Sequence, residues 1–261
     1  MIKYRILLPL IFLLLNFEPA GFELEYDPSL ELYMEESEIY EDVDLKGMIV
    51  PHHNVPLDKI TKMYRTASNE AKTIILLSPD HFSTSDREML VSKKSWYGEF
   101  GELHTDKKLI EQLLTLDFIY EDDDEIVKEH GLNIHIPFIS RYFENVRVVP
   151  IAVNKSIQKH QLDELLTVIP EDVFIIASVD FSHYYPKKEA DQFDKHTMKL
   201  FEIEAYDEFF KLNDAYFDTP GVLYLVFSWA NNYKIYDRAN SADYIGDHVM
   251  ESTSYFFIGL E

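Results

Sequence analysis

The chain has 261 residues, with 47 acidic against 24 basic side chains and a formal charge of −23; a field of that sign repels phosphate backbones and excludes nucleic acid as a partner. It has no cysteine, so disulfides, thiolate metal sites and cysteine nucleophiles are excluded, and any metal must be held by His, carboxylate or water. With 18 Phe and 17 Tyr the chain can bury a sizeable core, and its length suits one α/β domain better than two.

Lys3 and Arg5 precede an uncharged apolar stretch over 6–17. This is too short to cross ~30 Å of hydrocarbon comfortably and has the pattern of a signal peptide. Residues 1–21 are therefore expected to direct export or to act as an N-terminal anchor, the one route to membrane attachment. Glu18 stands where a cleavage site wants a small residue, so cytoplasmic retention is the alternative. Residues 23–44 hold ten acidic side chains and no basic one; 22–45 is expected to be a solvated acidic linker. The domain proper is expected over 46–261.

From there the pattern alternates. Residues 47–50 read as a strand and 56–71 as a helix with Ile60, Met63, Tyr64 and Ala67 on one face. With a strand at 73–77 these form a βαβ unit and hence a parallel pair. A strand at 88–92 follows, then a helix N-capped by Thr105 with Leu109, Ile110, Leu113 and Leu114 on one side. The acidic run 121–125 reads as a solvated loop, and 132–143 as a helix kinked at Pro137. Further on, 147–153 is a strand, 158–168 a helix and 173–177 a strand. Long helices are expected over 187–212 and 220–231, and strands over 233–236 and 253–260. The fold class is α/β.

Three apolar runs end on a histidine: Ile49-Val50-Pro51-His52, Leu76-Leu77-Ser78-Pro79-Asp80-His81 and Ser178-Val179-Asp180-Phe181-Ser182-His183. Strand ends are where α/β proteins place ligand-binding groups. His53 follows His52 and is expected to face away, on the surface or in a supporting role. Asp80 is placed to orient an imidazole or simply to cap a turn. Asp180, Ser182 and Tyr184 set proton-transfer groups around His183, against the plainer reading of a structural hydrogen-bond network. No Gly-x-Ser-x-Gly elbow accompanies Ser78, Ser178 or Ser182, so a serine hydrolase is not expected. His104, His135, His160, His196 and His248 lack comparable context and read as surface or satisfied residues.

Taken in order, Pro51-His52, Ser78-Pro79-Asp80-His81, Glu129-His130, Ile136-Pro137-Phe138 and Asp180-Phe181-Ser182-His183-Tyr184 resemble the Memo-like family, called AmmeMemoRadiSam system protein B in prokaryotes. The stretch Tyr97-Gly98-Glu99-Phe100-Gly101-Glu102-Leu103-His104-Thr105-Asp106 adds to the likeness, which covers roughly 48–259. The resemblance implies a three-layer α/β/α fold around a mixed, largely parallel sheet, similar to class III extradiol dioxygenases. In those relatives two His and a carboxylate hold Fe(II), and a further His acts as acid or base. Where the family typically has a Cys before a glycine, this chain has Asp218 in Phe217-Asp218-Thr219-Pro220-Gly221. The implied metal set is His52, His81 and Asp218, suited to iron, with copper or zinc as alternatives. Asp218 has a plainer reading beside a helix start at Pro220.

The resemblance further implies His183 as general acid/base or additional ligand with Asp180 as its partner, and His130 as a pocket residue. Asn133 replaces a Glu usual in the family, which removes an expected supporting carboxylate. The function implied is metal-dependent oxidation or redox chemistry on a small molecule. The alternatives are a non-catalytic pocket for a small-molecule or peptide ligand, and an acidic interaction module formed by 23–44.

Overall fold

Four parallel strands form the centre of the fold, ordered Gly47–Val50, Phe174–Ser178, Thr73–Pro79 and Arg147–Val153. They belong to a computed structural model that describes residues 21–25, 29–34, 38–67, 70–82, 86–246 and 249–261. The expected signal or anchor segment, apart from Gly21, lies outside the described residues, as does His248. Among the described residues no helix is long and apolar enough to cross a membrane.

The parallel strands are β-branched and buried on both faces, as crossover helices require. Alternation sends Ile49, Ile75, Val149 and Ile175 into one core and Met48, Ile74, Val148 and Phe174 into the other. The first core is closed by helices Lys107–Leu113, Lys159–Leu166, Lys187–Glu202 and Pro220–Trp229. The second is closed by Leu57–Ala67, Ile136–Tyr142 and Ser29–Met34. The result is an α/β fold with a large mixed sheet flanked by helices. Ser252–Leu260 joins antiparallel to Gly47–Val50 and also pairs with Tyr233–Asn240 and His183–Tyr185. At the far side Met89–Val91 runs antiparallel to Arg147–Val153 and parallel to Ile119–Glu121.

Several expected elements differ in detail. Asp106, not Thr105, caps Lys107–Leu113 by accepting from the Leu109 N–H at 3.1 Å; Thr105 instead donates its hydroxyl to Lys93 O at 2.7 Å. The helix expected over 132–143 is two helices, His130–Asn133 and Ile136–Tyr142. Pro137 sits in the first turn of the second, where its missing N–H costs nothing, so it starts a helix rather than kinking one. The helix expected to run to 212 stops at Glu202. Glu204 turns the chain at φ 54°, and a 3₁₀ helix follows over Tyr206–Lys211. The acidic run 121–125 is not a loop: Glu121 ends a strand and Asp122 caps the helix Asp123–Ile126, where acidic groups favour the positive helix end. The hairpin Ser95–Gly98 and Gly101–Leu103, turned at Gly101 with φ 100°, lies in a segment given no element from the sequence.

Parts of the acidic stretch pack on the domain. Gly21–Glu23 pairs parallel with Ser95–Gly98. Tyr40 stacks on Tyr236 with centroids 5.4 Å apart, donates its hydroxyl to Asp237 Oδ2 at 3.1 Å, and donates its backbone N–H to Thr66 Oγ1 at 2.8 Å.

Candidate metal centre

All four parallel strands deliver polar residues at their C-terminal ends. Val50 leads into Pro51-His52-His53, Pro79 into Asp80-His81, Ser178 into Val179-Asp180, and Val153 into Asn154-Lys155. In a parallel sheet these ends lie on one side, so residues far apart in sequence converge without any loop reaching across the molecule.

His52 is buried. Its Nδ1 lies 3.0 Å from Ser178 Oγ, at the end of the neighbouring strand, and its backbone N–H donates to Asp180 Oδ1 at 3.2 Å. His81 is held by Glu129, whose Oε2 accepts the His81 backbone N–H at 2.9 Å while Oε1 lies 2.7 Å from the ring Nδ1. Each ring thus has its Nδ1 engaged by a neighbouring side chain. His130, first residue of its short helix, brings its ring to 4.1 Å from that of His81 and 5.4 Å from that of His52. One ligand atom from each of His52, His81 and His130 lies within 4.8 Å of the others, so the trio can hold a metal ion. Donors at ~2.1 Å from an ion sit about 3.0–3.4 Å apart, a spacing reached by side-chain rotations on the order of 1 Å. The donor chemistry fits a borderline divalent ion.

Protonation favours ligation as well. Burial pushes the His52 imidazole down to about 4, with only partial opposition from Asp180. Burial, and then His81, lower His130 too. Burial would raise Glu129, but the hydrogen bonds and charge of His81 outweigh it and keep the carboxylate ionised. A carboxylate on the non-coordinating ring nitrogen fixes an imidazole's tautomer and direction at metal sites.

Beside the trio lie two buried carboxyl groups. Asp218 Oδ2 is 3.4 Å from His52 Nε2 and accepts the Asp180 backbone N–H at 3.1 Å, while the Asp218 N–H donates to Asp180 O. Asp180 Oδ2 has three imidazole nitrogens around it: His53 Nδ1 at 2.7 Å, His52 Nε2 at 3.5 Å and His183 Nε2 at 3.8 Å. Burial alone would raise Asp180, but its electrostatic interaction with His52, then hydrogen bonds with His183 and His53, hold it well below the ordinary carboxylate range. Burial and the neighbouring Asp180 charge push Asp218 well above it. The two carboxyls are thus pushed in opposite directions, as expected when like charges share a dry site.

The fold therefore brings together every residue singled out from the sequence: His52, His81, His130, Asp180, His183 and Asp218. The compact donor trio contains His130, while Asp218 stands on the His52 side of it. Asp80, expected to orient an imidazole or to cap a turn, accepts from Asn154 Nδ2 at 3.1 Å, and a carboxylate on His81 is that of Glu129. Asn133 binds Trp96 Nε1 at 3.0 Å, a packing role.

Sequence reasoning gave no role to Glu129 or Ser178 and underrated His53. The available signal for Glu129 was an acidic residue next to a pocket His at a helix start. His135, read as a surface or satisfied residue, is neither: it is fully buried, and both its ring nitrogens lack hydrogen-bond partners among the described residues. Burial pushes it down to about 3.

Comparison with known proteins places the chain among relatives. The family model described as "Memo-like protein" matches residues 23–223. A protein of Aquifex aeolicus described as "MEMO1 family protein" is 26% identical over 225 residues, covering 80% of this chain and 83% of its own. Similarly described proteins of Methanothermobacter thermautotrophicus and Pyrobaculum arsenaticum are 24% and 29% identical. Those matches cover 58% and 62% of this chain, and span 58% and 61% of the relatives' own lengths. With its family model matched across the strand-end histidines and the Asp180–Asp218 pair, the chain belongs to the Memo-like family.

Proposed function

We propose that the strand-end pocket binds a divalent metal, iron being best suited and copper or zinc next, and supports metal-dependent oxidation or redox chemistry on a small molecule. The observation that carries this reading is the arrangement of His52, His81 and His130. Three imidazoles bring one donor atom each to within 4.8 Å of the others, and two of them are fixed from behind by Ser178 and Glu129. A bound ion supplies Lewis-acid and redox chemistry that these side chains lack.

The chain's own residues contribute binding and proton handling. His183, largely buried, lines a cavity of about 260 Å³ together with His81 and Asp218. It faces the cavity as a general acid or base, with Asp180 Oδ2 behind it at 3.8 Å from its Nε2. Asp218, whose pKa burial and the Asp180 charge raise, places a carboxyl on the His52 side of the same space. Ser178 and Glu129 hold the ligand rings still.

Metal content of purified protein tests the reading. Wild type is expected to retain close to one ion per chain, with His52→Ala, His81→Ala and His130→Ala each losing it. Negligible metal in all four would remove the proposal. Retained metal and ligand binding without oxygen consumption or product would instead favour a non-catalytic binding pocket.

A further inference from the structure

The short strand His183–Tyr185 contains one residue too many for its partner. His183 lies opposite Thr253 and Tyr185 opposite Ser252, so Tyr184 is the extra residue of a β-bulge. Bulges leave one residue unpaired and re-aim its side chain. Tyr184 adopts φ 65°, a left-handed conformation that is costly for a bulky side chain and suits Gly or Asn.

The backbone on both sides is tied down. The His183 N–H donates to Asp214 O at 3.2 Å, the Ser254 N–H to Ser182 O at 2.9 Å, and Ser252 Oγ to Tyr185 O at 2.8 Å. These bonds hold the strain in place, and strain of this kind gathers at functional sites. Its product is specific: Ser182 and His183 are buried, whereas Tyr184 between His183 and Tyr185 is 69% exposed.

Tyr184 forms a wall of the 260 Å³ cavity that also meets His81, His183 and Asp218. That volume lies below the roughly 300–1,000 Å³ of pockets for drug-sized ligands, so the occupant is about one ring in size. Lys155 and Asp214, in the same wall, neutralise each other at 2.7 Å and demand no charge on the ligand. Beside the polar groups of Asp80, His81, His183 and Asp218, Tyr184 adds the wall's phenyl face, which favours an offset or edge-on ring over a saturated group of equal size.

We propose that Tyr184 is a specificity-determining residue and that the site takes a small molecule presenting one planar aromatic ring to it. This rests on reading the cavity as a small-molecule site beside the metal centre.

The test compares phenol with cyclohexanol, which share a hydroxyl and a six-membered carbon ring but differ in aromaticity. Binding of each is titrated by ligand-observed NMR to the full chain, zinc-loaded and metal-free. Phenol is expected to bind about fivefold more tightly. Tyr184→Phe should keep that ratio, and Tyr184→Leu should bring it to one with zinc content unchanged. Tyr184→Gly, which the left-handed backbone accepts, should also lose the ratio while unfolding at the wild-type temperature, separating recognition from folding. Equal affinities in the wild type, no binding of either probe, or a ratio that survives Tyr184→Leu and Tyr184→Gly overturns the proposal. Zinc content is read separately: ring preference in protein that retains no zinc would sink the metal reading and support the aromatic wall.

Discussion

Glu129 holds His81 at two points, accepting the backbone N–H with one carboxylate oxygen at 2.9 Å and meeting ring Nδ1 with the other at 2.7 Å. The second oxygen also accepts the Gly131 N–H at 2.8 Å, so one side chain sets His81 and anchors the start of the helix that carries His130. Glu129→Gln keeps the size but removes the charge that fixes the tautomer. Metal affinity is expected to fall about 10–100-fold, as for other residues that support metal ligands. Competition against a chromogenic chelator would measure it, and an unchanged affinity would deny Glu129 this role.

Gly131 sits where no side chain fits. A Cβ there would stand 2.2 Å from Ser78 Oγ and 3.2 Å from Glu129 Oε1. Gly131→Ala should therefore displace the Glu129–His130 turn and cost about 1–3 kcal/mol, the usual range for overpacking. Urea denaturation would show it as a lower midpoint with an unchanged slope.

His135 predicts an acid-sensitive fold. Its folded-state value is pushed down to about 3 from an ordinary 6.5 by burial, so the unfolded chain binds its proton more readily than the folded one. That contribution to stability is full above 6.5 and is lost as pH falls from there towards 3. Between pH 6.5 and 5 the loss is about 2 kcal/mol, at about 1.4 kcal/mol per unit. His135→Leu, which cannot charge, should flatten the stability curve over this window. Parallel curves for the two proteins would be incompatible with a neutral buried His135.

Tyr40 is the main described anchor of the acidic stretch, through its stacking on Tyr236 and its hydrogen bonds to Asp237 and Thr66. Tyr40→Ala should destabilise by about 1–2 kcal/mol and open residues 38–46 to proteases. Limited proteolysis with mass spectrometry would detect the new cleavage; a pattern identical to wild type would mean that the anchor lies elsewhere.

The sheet was legible in the sequence because its strands are short β-branched runs with punctuation at both ends, and because ligand groups at parallel strand ends follow from topology. His52, His81 and His183 were visible for that reason. Glu129 was harder to place, since nothing local distinguishes a buried carboxylate from the neighbouring solvated acids at 121–125. Its partner lies 48 residues away across the fold. The split at Glu204 escaped for a different reason: the apolar spacing of 187–202 continues into the 3₁₀ turn, so Phe201 and Phe209 both face the same core. The bulge at Tyr184 depends on hydrogen bonds to a strand some seventy residues later, a distance at which sequence pattern is silent.

That later strand, Ser252–Leu260, follows every other described element in the chain yet lies inside the sheet, bonded to three neighbours. It also accepts the Phe181 N–H at Ser254 O, pinning the loop that carries Asp180. On a ribosome the histidines of the candidate metal centre would thus emerge well before the segment that fixes their surroundings. Such long-range pairing slows folding and leaves strand edges open during synthesis. The site is expected to mature only once this strand has been made, with metal capture following the assembly of the sheet rather than acting as a nucleus for folding.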